Sequence, residues 1–359
     1  MSLPAFSQGS SGCPIPQAGP GTFTLFWITD TQYLSEYNLA LFNQTTQWIA
    51  DNYAACNGKM VIHTGDIVND WDAPSEWANA NKAMSILLDA GIPYTWDAGN
   101  HDFCGPPSDS GVAQPCPSSG PSYFGDEYDA FNATVVASKE ARNWVGSSDD
   151  GKDTAVNFTA NSSTFLIINI EYNGLAELPW VDGLLSQYPT ARVIIATHAY
   201  MNDTGGIPGW DRAIIHDFTG NLTAMMNADP NVFLTMNGHY DECGTLVTDP
   251  CFHHQTGSGS RWDVMFNRQE LDPVKKSYIG AASVTTITVS LANDEAHVNT
   301  FDLLTGTPTI VPGYSYSLEL GFSPLVCSPT LTLTASTQAV CPAPKHRLTH
   351  ALPKGDTAV

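Results

Sequence analysis

Residues 59–70 read KMVIHTGDIVND. Residues 59–64 predict a buried strand, and it stops at Gly65-Asp66. A strand delivers its last side chain at a defined position, and the turn after it can point a neighbour back toward the rim of the sheet. The same grammar recurs along the chain. Residues 23–29 (FTLFWIT) run into Asp30, and residues 92–96 run into Gly99-Asn100-His101-Asp102. Residues 192–197 (RVIIAT) precede His198, and residues 233–237 precede Gly238-His239. Helical spacing of apolar residues fills the intervals at 41–53, 75–90, about 175–185 and 211–228. Strand, polar residue, helix, repeated, is the pattern of an α/β fold with parallel strands. Such sheets carry their functional groups at the carboxyl ends of their strands. Asp30, Asp66, Asn100, His198 and His239 are therefore expected to converge on one rim.

Around this frame the sequence is less regular. Residues 1–22 are Gly/Ser/Pro-rich and predict an extended arm, and residues 103–154 read as a long insertion into a domain spanning 23–326. Short alternating runs at 262–266, 276–279, 285–289 and 297–301 predict a second sheet. A Gly/Pro-rich stretch at 304–314 follows, and then a Thr/Ser-rich tail over 327–359.

The chain has 359 residues, 42% of them hydrophobic, enough for an extensive core. Asp and Glu outnumber Lys and Arg by 36 to 14, a net charge of −22. That field repels polyphosphate backbones and excludes a nonspecific nucleic-acid binder. Charged residues are 14% of the chain, against roughly 25% in ordinary soluble domains. No apolar run reaches the roughly 18 residues of a membrane span. The eight cysteines are Cys13, Cys56, Cys104, Cys116, Cys243, Cys251, Cys327 and Cys341. Proximity suggests the loop staples Cys104/Cys116, Cys243/Cys251 and Cys327/Cys341, leaving Cys13 to pair with Cys56. N-x-Ser/Thr sequons begin at Asn43, Asn132, Asn157, Asn161, Asn202 and Asn221. With the acidic charge these features favour a secreted, extracellular glycoprotein. The N-terminal residues have neither the basic nor the apolar region of a signal peptide, which is the expectation for an already trimmed chain.

Asp66 can bridge two cations about 3.5–4 Å apart. With Asn100, His198 and His239 it makes a mixed nitrogen–oxygen site suited to Zn, Mn or Fe. Asp30, Gln32 and Asp241 would make an all-oxygen site suited to Mn, Mg or Ca. These blocks, Asp30-Thr31-Gln32, Gly65-Asp66-Ile67-Val68-Asn69, Gly99-Asn100-His101-Asp102, His198 within IIATHAY, and Gly238-His239-Tyr240-Asp241, resemble the calcineurin-like metallophosphoesterase superfamily. The resemblance covers roughly residues 23 to 302. It implies a four-layer αββα sandwich and hydrolysis of a phosphoric mono- or diester by a metal-bound hydroxide. It also implies one or two divalent metal ions, with Asp66 as the bridging ligand. Gln32 and Asp241 stand where the family usually has histidines, and both departures fall on the same metal. In the family the residue at the place of His101 is the proton donor or transition-state contact, with Asp102 expected to orient it. Tyr200 and Tyr240 are candidates for lining the substrate pocket. A small-molecule ester is the expected substrate, and a monomer is the expected state of the protein. A mononuclear or degenerate metal-binding module without hydrolase activity, or a hydrolase of a non-phosphate substrate, is the alternative.

Overall fold

Alternation along strand β1 (Thr22–Ile28) divides the hydrophobic core in two. Phe23, Leu25 and Trp27 join one buried cluster, while Phe26 and Ile28 join the other. This is the period-two geometry of a strand covered on both faces. The protein is represented by a computed structural model, which describes residues 12–103, 144–149, 151–201, 213–239, 253–255, 261–267, 280, 282–304 and 307–322.

After β1 come two helices, α1 (Gln32–Tyr37) and α2 (Leu39–Tyr53), then β2 (Gly58–Thr64), α3 (Pro74–Asp89) and β3 (Tyr94–Asp97). Strands β4 (Trp144–Ser147), β5 (Thr154–Ala160) and β6 (Ser163–Ile170) follow. A single 3₁₀ turn leads into α4 (Leu178–Gln187), then β7 (Arg192–Thr197), α5 (Ala213–Ala228) and β8 (Val232–Asn237). The remaining strands are β9 (His253–Gln255), β10 (Trp262–Met265), β11 (Ser283–Ser290), β12 (Glu295–Asp302) and β13 (Thr309–Glu319).

Among the described residues the strands make two mixed sheets, ordered β13-β12-β11-β1-β2-β3 and β4-β5-β6-β7-β8-β10-β9. Strands β1, β2 and β3 are parallel to one another, as are β6, β7, β8 and β10. Apolar faces of α2 and α3 (Phe42, Trp48, Ile49, Trp77, Met84, Leu87) cover the first sheet. Those of α4 and α5 (Val181, Leu185, Phe218, Leu222) belong to the other cluster, with the second sheet. The architecture is the α/β sandwich of two sheets flanked by helices.

One expectation is corrected. Among the described residues the late strands do not form a sheet of their own: β10 extends the second sheet beside β8, whereas β11 pairs antiparallel with β1, and the run at 276–279 lies outside the described residues. Alternation identifies a strand but not its neighbour. The Gly/Pro-rich stretch at 304–314 is largely strand, since β13 starts at Thr309 and pairs with β12. The end of the expected insertion also folds, as β4 and the start of β5 at the edge of the second sheet. Cys13 is bonded to Cys56, and Ile15 is buried in the helix-side core, so this part of the arm is tied down. The other cysteines and the tail lie outside the described residues. No helix among the described residues is long and apolar enough to cross a membrane.

Candidate metal centre

The carboxyl ends of β1, β2, β7 and β8 meet at one rim, where hydrogen bonds stitch the turns together. Asp30 N–H donates to the Gly65 carbonyl at 3.0 Å, and Gly238 N–H donates to the His198 carbonyl at 2.9 Å. Three residues here, Asp30, Asp66 and His239, hold left-handed backbone with φ of 51°, 52° and 77°. Non-glycine residues in that region cost roughly 1–3 kcal/mol each and concentrate at functional sites. Gly65 has φ of 79°, and a Cβ there would lie 2.7 Å from Gly99 N and from His198 Nδ1. Two glycines thus let the turns carrying Asp66 and Asn100 pack against each other.

The ligand atoms of Asp66, His198 and His239 all lie within 4.8 Å of one another, and all three residues are buried. His198 Nε2 is the hub. It lies 3.0 Å from Asn100 Oδ1, 3.2 Å from Asp66 Oδ1 and 3.1 Å from His239 Nδ1. His198 Nδ1 is 2.8 Å from the Thr64 carbonyl. A carbonyl only accepts, so Nδ1 carries the ring's proton and a neutral imidazole turns the Nε2 lone pair toward Asp66 and Asn100 oxygens. Lone pairs facing one another repel unless a cation stands between them. An imidazole oriented by a backbone carbonyl through its other nitrogen is the usual support of a metal ligand. The donor set therefore fits a divalent metal.

Without a metal the same geometry holds a proton. Burial opposes charge on His198, but the Asp66 carboxylate and Asp30 overcome it and raise the imidazole to about 10. Burial works against the Asp66 carboxylate as well, yet the imidazoles of His198, His101 and His239 hold it below the usual range.

The all-oxygen site is not assembled among the described residues. Asp30 lies outside the cluster, and its carboxylate is engaged elsewhere. His239 N–H is 3.2 Å from both oxygens, and Thr29 Oγ1 donates to Oδ2 at 2.5 Å. Burial and the neighbouring Asp66 raise Asp30 to about 7, against the pull of His198. Gln32 presents its amide nitrogen to Asp66 Oδ2 at 3.4 Å. Asp241 and Tyr240 lie outside the described residues. Among the described residues a single candidate cluster is found, not the expected pair of distinct cation sites.

His101 N–H donates to Asp66 Oδ1 at 3.0 Å, and its Nδ1 donates to the Asn69 carbonyl at 2.8 Å. Burial lowers the imidazole's affinity for a proton, but Asp66 and the Asn69 carbonyl outweigh it, and the net shift is upward. Asp102 does not orient the His101 ring. Its Oδ1 accepts the N–H of Ile67 at 2.8 Å and of Val68 at 3.0 Å, and its Oδ2 accepts Gly99 N–H at 2.8 Å. It is a brace for the two turns, taking three backbone donors, while the His101 ring is bonded to the Asn69 carbonyl. Tyr200 is fully buried with its hydroxyl 2.8 Å from Thr223 on α5, which commits it to the helix layer rather than to a substrate. His63 is a core residue, bonded to Thr31 at 2.9 Å and lowered by burial to about 3.

Sequence reasoning missed Tyr172. Its ring packs 6.0 Å from His198 and 5.7 Å from His239, and its N–H donates to the Ala98 carbonyl at 2.8 Å. The strand-end rule could have found it, since it follows β6 by two residues.

A family model described as calcineurin-like phosphoesterase matches residues 23–241. The chain belongs to this family. It is 27% identical over 280 residues to uncharacterized protein YvnB of Bacillus subtilis (strain 168). That match spans 78% of this chain but 20% of YvnB. Among solved structures, purple acid phosphatase PPD1 from yellow lupin (Lupinus luteus) superposes with a TM-score of 0.49 and 12% identity. The superposition covers 86% of this chain and 55% of the lupin protein. TT1561 of Thermus thermophilus gives 0.41 and 11%, covering 80% and 98%. Vacuolar protein sorting 29 from Cryptosporidium parvum gives 0.35 and 10%, covering 83% and 98%. At these scores the structural likenesses add nothing to the family assignment, which rests on residues 23–241 and the metal centre.

Proposed function

We propose that the chain is a metal-binding module of the calcineurin-like phosphoesterase type. It holds one divalent cation (Zn, Mn or Fe) with Asp66, Asn100, His198 and His239. The observation that carries this is the orientation of His198: with Nδ1 tied to Thr64, its Nε2 faces the other three ligand atoms. The test is elemental analysis of the purified protein before any chelator or metal supplement, repeated after loading. One equivalent, lost in Asp66→Ala, is the expected result. Two equivalents, or none after loading with Zn or Mn, would overturn the single-site reading.

A second reading is a hydrolase of phosphoric esters, and His101 favours it. With its backbone on Asp66 and Nδ1 on Asn69, the ring is fixed, and Nε2 is the nitrogen that can carry a transferable proton. A bound cation would polarise the phosphoryl oxygen and ease deprotonation of water. His101 would deliver its proton to the leaving oxygen as general acid. The net charge of −22 favours a monoester or singly charged diester over a polyphosphate. Turnover in a screen across monoesters, diesters and non-phosphate esters supports this reading or redirects it to another ester; silence on all three removes it. Secretion into an oxidising compartment is also part of the proposal, supported by the Cys13–Cys56 bond.

A further inference from the structure

The loop after Asp66 exposes four successive backbone N–H groups, at residues 67, 68, 69 and 70, and two buried carboxylates capture them all. Asp102 takes the first two, as described above. Glu76 Oε2 takes the others, Asn69 N–H at 2.7 Å and Asp70 N–H at 3.1 Å. Glu76 sits in the first turn of α3 behind Pro74, is 6% exposed, and reaches back over the loop. The peptide it fixes has a second end. The Asn69 carbonyl is the acceptor for His101 Nδ1 at 2.8 Å.

We propose that Glu76 is a positioning residue for His101, acting through the Asn69 peptide. A carboxylate accepting two N–H bonds holds residues 69 and 70 in place with charge-assisted hydrogen bonds. The Asn69 carbonyl then fixes both the direction of the imidazole and its tautomer, with hydrogen on Nδ1 and Nε2 toward the rim. Loosening this peptide would free the ring to rotate and to exchange tautomers, while His198 and His239 keep their own supports from Thr64 and Asp30 and Asp66 keeps the His101 backbone N–H. The role for catalysis rests on the hydrolytic reading; the geometric claim does not.

The experiment uses the full chain, metal-loaded, with His101 observed by NMR through its ring ¹⁵N shifts and its hydrogen-bonded Nδ1 proton. Glu76→Gln keeps an oxygen acceptor in reach and should retain the signal. Glu76→Asp keeps the charge but withdraws it by one methylene and should lose the signal, as should Glu76→Ala, each with metal content unchanged. If the wild-type protein hydrolyses an ester, the last two variants should lose up to about 10²-fold in kcat with KM little changed. Retention of the Nδ1 signal in Glu76→Asp and Glu76→Ala overturns the proposal. So does loss of metal along with the signal, which would make Glu76 a structural support of the Asp66 turn. Should Glu76→Ala fail to fold, the Asp and Gln pair decides alone. An inactive wild type would count against the hydrolytic reading, while the NMR outcome would still test the positioning.

Discussion

A neutral imidazole has one N–H, and His198 gives it to the Thr64 carbonyl. Its other nitrogen must then accept a proton or a cation, because Asp66 and Asn100 oxygens surround it. This competition fixes a pH dependence. The metal-free imidazole is raised to about 10, above its unperturbed 6.5. Its charged form therefore stabilises the metal-free fold fully below about pH 6.5, and that stabilisation is lost as pH rises through about 10. Between these values each cation bound must displace a proton, so metal affinity is expected to rise about tenfold per pH unit. Calorimetry in buffers of different ionisation enthalpy should count about one proton released per metal at pH 7.5. Affinity independent of pH from 7 to 9 would show that His198 holds no proton for the cation to displace. His101 is different in kind. Its ring is not in the ligand cluster, so His101→Ala should keep the metal and, where turnover is measurable, slow it by a factor of about 10²–10⁴. Metal loss in that variant would make the residue structural. The cluster of Asp66, His198 and His239, with Asn100 beside it, was legible because each of these residues follows an apolar run. The bracing by Asp102 and Glu76 was not legible because both act on backbone N–H groups, and no side-chain spacing records that.

At the scale of elements, the site is built from turns that the strands force into unusual shapes. β3 contributes a further oddity. Asp97, its last residue, is 1% exposed, and neither carboxyl oxygen has a hydrogen-bond partner among the described residues. Burial raises it well above 3.8, with His198 pulling the other way and Asp102, Asp30 and Asp66 adding to the rise. The sign is opposite to that of an ordinary paired carboxylate. Below about pH 3.8 both folded and unfolded states hold the proton and Asp97 is neutral to stability. Above it the unfolded chain releases the proton while the folded state resists, so stability is lost as pH rises. Asp97→Asn removes the titration. Its thermal midpoint should exceed that of the wild type by a margin that grows from pH 4 to pH 7, measured on metal-free protein by calorimetry. A margin flat with pH would mean that the carboxyl is satisfied in solution. The elements themselves were mostly legible, since β1, β2, β7, β8 and the helices follow simple periodicity. What escaped were partners and edges. β11 reads as a half-polar strand (SVTTITVS) yet is wholly buried, because it lies between β1 and β12 with Ile287 and Val289 facing one core and Val284 the other.

For the whole molecule, the question is what holds a chain of this charge in one fold. Sequence proximity left the pairing of Cys13 as the remainder of a set, and the bond to Cys56 now has a structural reason. It joins the segment before β1 to the end of α2, and Ile15 beside it is buried among the helix-side core residues Phe26, Phe42 and Trp48. The bond closes a separation of 43 residues, which includes β1, α1 and α2 and therefore the turn that carries Asp30. In the chain-entropy account a loop of that size stabilises the fold by about 4 kcal/mol, through the unfolded ensemble. Replacing Cys13 and Cys56 together by Ser should lower unfolding free energy by about 3–4 kcal/mol in denaturant titrations. The metal stoichiometry should not change, because Asp66, Asn100, His198 and His239 all lie outside the closed loop. A loss far below that value would mean that packing of Ile15 alone restrains the arm. A loss of metal with stability would instead show that the Asp30 turn, and through it the backbone of His239, depends on the N-terminal tie.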